Sequence, residues 1–291
     1  MTNLKVTAST NIAGQIVKPS ASLAKRRKPK KRVSPQRTRL ENFAMTLVVV
    51  AILFGIWEYA ADRWIPALFI SRPSLIGQTI LKWLLDGTYV THTWVTLEAT
   101  VLGFAFGALG GMIAGYITGT WQRVGDVLQP IFTALYTLPR LALAPLFLLW
   151  FGLGLEFRVA FSAAIVFFLV YYNTFFGVRE VNAELIAAVR IMGANRWQLA
   201  RRVIIPSALT WVAAGLKISI PYALVGVVVA EMLAAKTGLG YLLSKSADQF
   251  AAHGTFAAIA GILVIAFAID ALVNLITHRA LRWKRTGTLN R

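Results

Sequence analysis

Among the charged side chains inside long apolar runs are Arg140, Lys217, Glu231 and Asp270. An ion at membrane depth is costly, so each marks a pathway, a gate or a satisfied structural contact. Arg140 directly follows Pro139, and Pro145 comes soon after. Proline inside a helix removes a hydrogen bond and bends or breaks it. Broken backbone persists in lipid only where it is buried or lines a water-filled path. Arg140 could there contact an anionic substrate or form a gate; alternatively, residues 128–138 lie along the inner interface and the guanidinium snorkels. Lys217, Glu231 and Asp270 are weighed for the same path against structural roles. For Glu231 the structural role is pairing with Lys236 near the outer end, and for Asp270 a buried hydrogen bond between helices.

Other chemistries are excluded by what the chain lacks. There is no cysteine, which removes disulfides, thiolate catalysis and cysteine metal sites. His92, His253 and His278 are scattered without ligand spacing, and no His, Asp or Glu cluster has catalytic spacing. No catalytic residue and no metal site is assigned.

The elements that must position these residues are apolar helices. The chain has 291 residues, a mean hydropathy of +0.63, 57% hydrophobic residues and 14% charged ones, the composition of a multi-span membrane protein. Six runs are long enough to span: 43–61, 95–117, 127–151, 158–178, 208–234 and 257–277. Between the first two, spacing after Pro73 predicts a short surface helix. Residues 235–256 read as an outer loop or a partly re-entrant helix. Within the second run Gly103, Gly107, Gly111 and Gly115 recur every fourth residue, a ridge without side chains that lets another helix approach closely.

The net charge of +18 is unevenly spread, with eleven of the 30 Lys and Arg in residues 1–39. Such a segment cannot bury a core, so 1–40 is expected to be a disordered basic tail. It would hold the N-terminus in the cytoplasm or, on a sharper reading, bind anionic headgroups. The expected organisation is tail 1–40, first transmembrane helix 41–62, periplasmic segment 63–92, core 93–280 with a cytoplasmic loop at 179–207, and tail 281–291. With both termini inside, the inner segments hold 22 Lys and Arg and the outer segments six, as the positive-inside bias requires.

That loop carries a polar, basic island, ELIAAVRIMGANRWQLARRVIIP, at 184–206. Leu185, Val189 and Met192 fall at i, i+4, i+7, Gly193 supplies a helix stop, and Trp197, Arg201 and Ile204 repeat the spacing. On a soluble chain this could read DNA, with Arg196, Arg201 and Arg202 on phosphates. Apolar runs on both sides favour docking on a cytoplasmic partner instead, and no nucleic acid is expected.

The island resembles the cytoplasmic coupling loop of ATP-binding-cassette importer permeases, whose pattern is EAA-x3-G-x9-I-x-LP. Aligned on Gly193, the chain supplies Ala187, Ala188, Val189, Gly193, Val203, Ile205 and Pro206; Ala187 replaces the Glu, Val189 the second Ala and Ile205 the Leu. Matches at 139–154, 173–181, 215–217, 230–232 and 238–240 resemble the branch importing nitrate, sulfonates, taurine and related anions, although Ala99 stands where related chains often carry a basic residue. The resemblance covers roughly 73–285. It implies an all-α membrane protein with six transmembrane helices, a type I importer (MetI-like) core and an extra N-terminal helix. It also implies a multi-pass location in the bacterial inner membrane, with both termini cytoplasmic. The implied partners are a second permease copy in a homodimer, a cytoplasmic ATPase dimer, a periplasmic substrate-binding protein and the lipid bilayer. Ala187, Ala188, Arg190, Gly193, Ala194, Ile205 and Pro206 would be the ATPase-coupling residues. There is no G-x4-GK-[ST] loop, so ATP and Mg are expected on the partner; this chain is expected to need no cofactor and to be no enzyme.

Two other classes compete. A secondary transporter with its own ion coupling would want more intramembrane carboxylates, and a membrane-embedded enzyme would want a catalytic cluster. An importer permease for a small anion is the leading expectation.

Overall fold

The computed structural model describes residues 35–280 apart from Asp62 and Ile65, with side chains from Asn42 to Leu275 save Ala67 and Leu68. The tail expected to be disordered lies outside the described residues as far as residue 34, and so does 281–291. Two units divide at Ala51 and Ile52. The first contributes only the start of helix α1 (Pro35–Ala60), which begins before the apolar run, on a proline pre-set for the first helical position. Residues 35–40, grouped with the tail by sequence, are therefore helical.

The second unit continues α1 and is helical throughout its regular elements. Short helices α2 (Ala67–Ile70) and α3 (Pro73–Leu85) lead to α4 (Thr88–Thr120). Then come α5 (Gln122–Thr137), a 3-10 turn (Arg140–Leu143), α6 (Ala144–Phe151) and α7 (Leu155–Arg179). Helices α8 (Ala183–Ile191) and α9 (Arg196–Leu199) precede a π turn (Ala200–Ile204) that runs straight into α10 (Ile205–Ala234). Helices α11 (Leu239–Asp248) and α12 (Ala252–Ala280) complete the chain.

Among the described residues five helical stretches are long and apolar enough to cross a membrane: Asn42–Ala60, Thr88–Thr120, Leu155–Arg179, Arg196–Ala234 and Ala252–Leu275. The run expected as a further span is bent at a break. Gln122–Thr137 and Arg140–Phe151 meet at 87°. The residue before a proline is pushed away from helical ψ, and Leu138 accordingly sits at φ −61°, ψ 138° before Pro139. Pro130 stays inside α5, and Pro145 sits harmlessly in the first turn of α6. Of the three prolines in this run, only Pro139 interrupts the backbone.

The centre of the bundle is α4 on α7, with α10 packed against both. Glycines set the first contact. A Cβ on Gly103 would lie 2.6 Å from Ser162 Cβ, on Gly107 2.5 Å from Ala163 O, on Gly111 2.6 Å from Phe167 O and on Gly115 2.7 Å from Tyr171 O. Successive glycines thus meet successive turns of α7 at backbone distance, the close approach that small residues permit between helices in lipid. Ala108, Val166, Val170 and Ala223 fill the seam between the three helices.

Candidate functional site

Three places carry polar chemistry. At one end of the bundle, residues 182–206 form an elbow. Asn182 caps α8 by accepting from the N–H groups of Glu184 (2.7 Å) and Leu185 (3.4 Å). Gly193, at φ +83°, ends it in the left-handed conformation that glycine adopts most cheaply. A capping box then starts α9: Asn195 accepts from Gln198 N–H at 2.8 Å while Gln198 accepts from Asn195 N–H at 3.0 Å. Ile186 and Val189 pack on a cluster of Val178, Val181, Leu199, Val203, Ile204 and Ala208.

The outer surface of the elbow is open. Ile191, Met192 and Trp197 are 88%, 84% and 68% exposed, and Ala187, Ala188, Arg190, Gly193 and Ile205 are exposed as well, with Ala194 and Pro206 half-buried. The apolar face expected from Leu185, Val189 and Met192 is corrected: Ile186 and Val189 point inward, and Leu185 and Met192 outward. The docked face is set by how the ends of α7 and α10 receive the helix, which spacing within α8 does not reveal.

The second place is the break beside Arg140. Helix α5 runs antiparallel to α7: Arg179 donates to Asp126 Oδ1 at 2.8 Å, the Phe132 ring lies 4.4 Å from Tyr171, and Tyr136 lies 4.9 Å from Tyr172. The Arg140 guanidinium then lies 4.6 Å over Tyr136 and 6.0 Å from the Phe168 ring. Phe168 is about 20 Å from the Leu155 end of α7 and about 16 Å from the Arg179 end, at 1.5 Å per residue. Arg140 therefore sits level with the middle of α7. Pro139 is exposed beside it, and Pro145 opens α6.

The third place is the opposite end from the elbow. Glu231, 1% exposed, accepts from Thr96 Oγ1 at 2.9 Å and from Gly240 N–H at 2.9 Å, and pairs with Arg158 Nη1 at 3.5 Å. The Thr96 hydroxyl accepts from Leu239 N–H at 2.8 Å, and His92 Nδ1 accepts from Gly238 N–H at 2.9 Å. A Cβ on Gly238 would fall on the Glu231 carboxylate, and Gly238 holds φ +110°, so glycine is required twice over. This network joins the ends of α4, α7 and α10 to the start of α11.

Two sequence expectations are overturned here. Glu231 does not pair with Lys236, which is exposed; the buried Arg158 is nearer and better shielded. Asp270 is not buried between helices. It is exposed on α12, accepts from Asn274 on its own helix at 2.8 Å, and edges an apolar groove with Ile220, Pro221 and Leu224. Lys217 is exposed on α10, away from the groups above. Arg158, Thr96 and His92 were missed. The one signal for Arg158 was a lone arginine at the start of an apolar run; nothing local distinguishes Thr96.

Comparison with known proteins agrees with this architecture. Residues 107–282 match the family model described as "Binding-protein-dependent transport system inner membrane component". SsuC of Bacillus subtilis (strain 168), described as an aliphatic sulfonates transport permease protein, is 29% identical over 275 residues, covering 94% of this chain and 97% of that one. RibX of Chloroflexus aurantiacus, a riboflavin transport system permease protein, is 33% identical over 261 residues, covering 88% and 97%. The inward-facing MetNI methionine ABC transporter shares the fold, with a TM-score of 0.55 at 18% identity over 66% of this chain and 97% of that one. Family members are transport components without catalytic activity of their own, and they work with ATPase and substrate-binding partners. An arginine at a helix break and an exposed elbow thus sit on a known scaffold: the chain belongs to the binding-protein-dependent inner membrane components, the permease subunits of ABC importers.

Proposed function

We propose that the chain carries a small anion, a sulfonate, taurine, nitrate or a related organic anion, from an external binding protein to the cytoplasm. One observation carries this reading: Arg140 lies level with the middle of α7 on broken backbone, over the Tyr136 ring, and no described residue accepts a hydrogen bond from it. A cation held there without a carboxylate partner suits an anionic cargo. The aliphatic sulfonates relative supports the same class, while the riboflavin relative shows that the scaffold also accommodates larger cargo.

In this reading the elbow is the coupling surface. Ala187, Ala188, Arg190, Gly193, Ala194, Ile205 and Pro206 lodge it in a cleft of the ATPase, with Ile191, Met192 and Trp197 supplying apolar anchors. Two copies related by a two-fold axis face one ATPase dimer, which holds ATP and Mg. Closure of that dimer rocks the attached spans as rigid bodies and alternates access to the central path. The elbow and both termini then lie on the cytoplasmic side of the bacterial inner membrane. The test is reconstitution of the permease, its ATPase and its binding protein in vesicles containing ATP. Uptake of labelled taurine or ethanesulfonate should require all three. Uptake that persists without the ATPase would replace this mechanism with secondary transport.

A further inference from the structure

We infer that Arg140, Tyr136, Phe168, Tyr172 and Thr133 form a transit site for an oxyanion attached to a flat or apolar body, such as an aryl sulfonate or carboxylate. This rests on the importer reading above and adds to it a site and a shape. The guanidinium carbon lies over the Tyr136 ring, 4.6 Å from its centroid, and 6.0 Å from that of Phe168. A ring contact of this kind consumes no N–H donor, so the fork that grips a carboxylate or sulfonate with two parallel hydrogen bonds stays available. No described residue takes that fork; the acid nearest in sequence on α5, Asp126, is already held by Arg179 at 2.8 Å.

Two hydroxyls stand one helical turn from Tyr136 and Phe168. Thr133 Oγ1 and Tyr172 OH are 3.1 Å apart, and one hydrogen bond between them uses only one of their two protons. The second O–H remains to donate to an anion oxygen. Tyr136 is 39% exposed and meets Tyr172 edge-on at 4.9 Å, so ring surface is open beside the cation. Inorganic nitrate would use the N–H edge and leave those rings wet. An aryl body would cover them and gain from ring packing.

The break explains why such a site is tolerated. Leu138 and Leu141, flanking Pro139 and Arg140, are exposed, so the interrupted backbone is not buried within this chain. Level with the middle of α7, it must then face water or a second protein. The proposed site requires that it be water, which the labelling below decides.

The absence of cysteine makes the test direct. Leu141→Cys is introduced as the only thiol of the permease, assembled with its ATPase in membrane vesicles, and labelled with anionic, cationic and neutral membrane-permeant thiol reagents. The anionic reagent should react at least about tenfold faster than the cationic one, as a unit charge within about 10 Å produces at an effective dielectric near 20. Arg140→Gln should bring the ratio to about one, and Arg140→Lys, which keeps the charge, should retain it. Benzenesulfonate should protect the thiol at about fivefold lower concentration than methanesulfonate, and Tyr136→Leu should erase that difference. Labelling by the permeant reagent alone would place the residue in lipid and overturn the site. No labelling by any reagent would place it in a protein interface and overturn it equally. Equal protection by the two sulfonates would remove the aromatic part of the proposal. Each of these failures is compatible with ATP-driven uptake by the same vesicles, so the importer reading is judged separately.

Discussion

Arg158 Nη1 and Glu231 Oε1 lie 3.5 Å apart at the end of the bundle opposite the elbow, both buried, on helices 73 positions apart in sequence. The pair is not isolated. The carboxylate also receives Thr96 Oγ1 and Gly240 N–H, and Arg158 Nε reaches its own helix at Gly154 O, 3.2 Å away. A buried ion pair persists when further hydrogen bonds support it; here Thr96 and Gly240 support the carboxylate and Gly154 O the Arg158 Nε. The consequence is mechanical: the ends of α4, α7 and α10 are tied through one side chain, and the loop into α11 is pinned to them.

Glu231→Gln tests that tie. The amide keeps the shape but leaves the Arg158 charge buried without a partner, a loss of about 3–5 kcal/mol for a broken buried pair. A lower Tm in detergent is expected. Replacing both residues with apolar ones, Arg158→Met with Glu231→Leu, should recover part of the loss. A single variant that melts like the parent would show that the pair is solvated.

The glycine seam makes an opposite pair of predictions. Gly107→Ala places a methyl 2.5 Å from Ala163 O, a backbone atom that cannot turn aside, so α4 and α7 must separate at a cost of about 1–3 kcal/mol. Gly77→Ala, in exposed α3 with nothing within 4 Å, should gain up to about 1 kcal/mol of helix propensity. Thermal unfolding of the two variants side by side checks both. If Gly107→Ala were silent, the seam would be looser than its distances state.

How much of this was readable in the letters follows from which interactions are local. The glycine spacing is a property of one helix, and α4 carries it against α7. Chain breaking at proline was legible too, but the choice of Pro139 over Pro130 was not. Pro130 keeps a helical neighbourhood, whereas Leu138 and Pro139 stand at the break. Glu231 was visible as an intramembrane acid, yet its partners come from α4, α7 and the start of α11, up to 135 positions away. Lys236, the partner nearest in sequence, was the wrong one because sequence proximity says nothing about which helix ends meet. Asp270 erred in the other direction: a local bond to Asn274 satisfied a group assigned to a distant one.

At the elbow, Trp197→Ala separates docking from folding. The ring is 68% exposed and lies outside the apolar cluster that holds the elbow on the bundle. Permease stability should hardly change, while ATPase co-purification should weaken by roughly 30-fold, the scale of a tryptophan anchor worth about 2 kcal/mol. Asn195→Ala should differ, costing about 1 kcal/mol through the lost cap and loosening α9 itself. Unchanged co-purification with Trp197→Ala would remove that residue from the docking surface.

The break at Pro139 gives the sharpest separation of stability from transport. Proline imposes the extended ψ of Leu138, and Arg140 reaches the Tyr136 face from the turn that follows. In Pro139→Ala that restriction is gone, and a continuous helix through 137–141 becomes accessible with a restored backbone hydrogen bond. Arg140 would then be carried around the helix, away from Tyr136 and Phe168. Tm should stay level or rise, while ATP-driven uptake falls severalfold and the anionic preference of a thiol at 141 is lost. A variant that is both stable and fully active would mean that transport does not depend on where the break places Arg140.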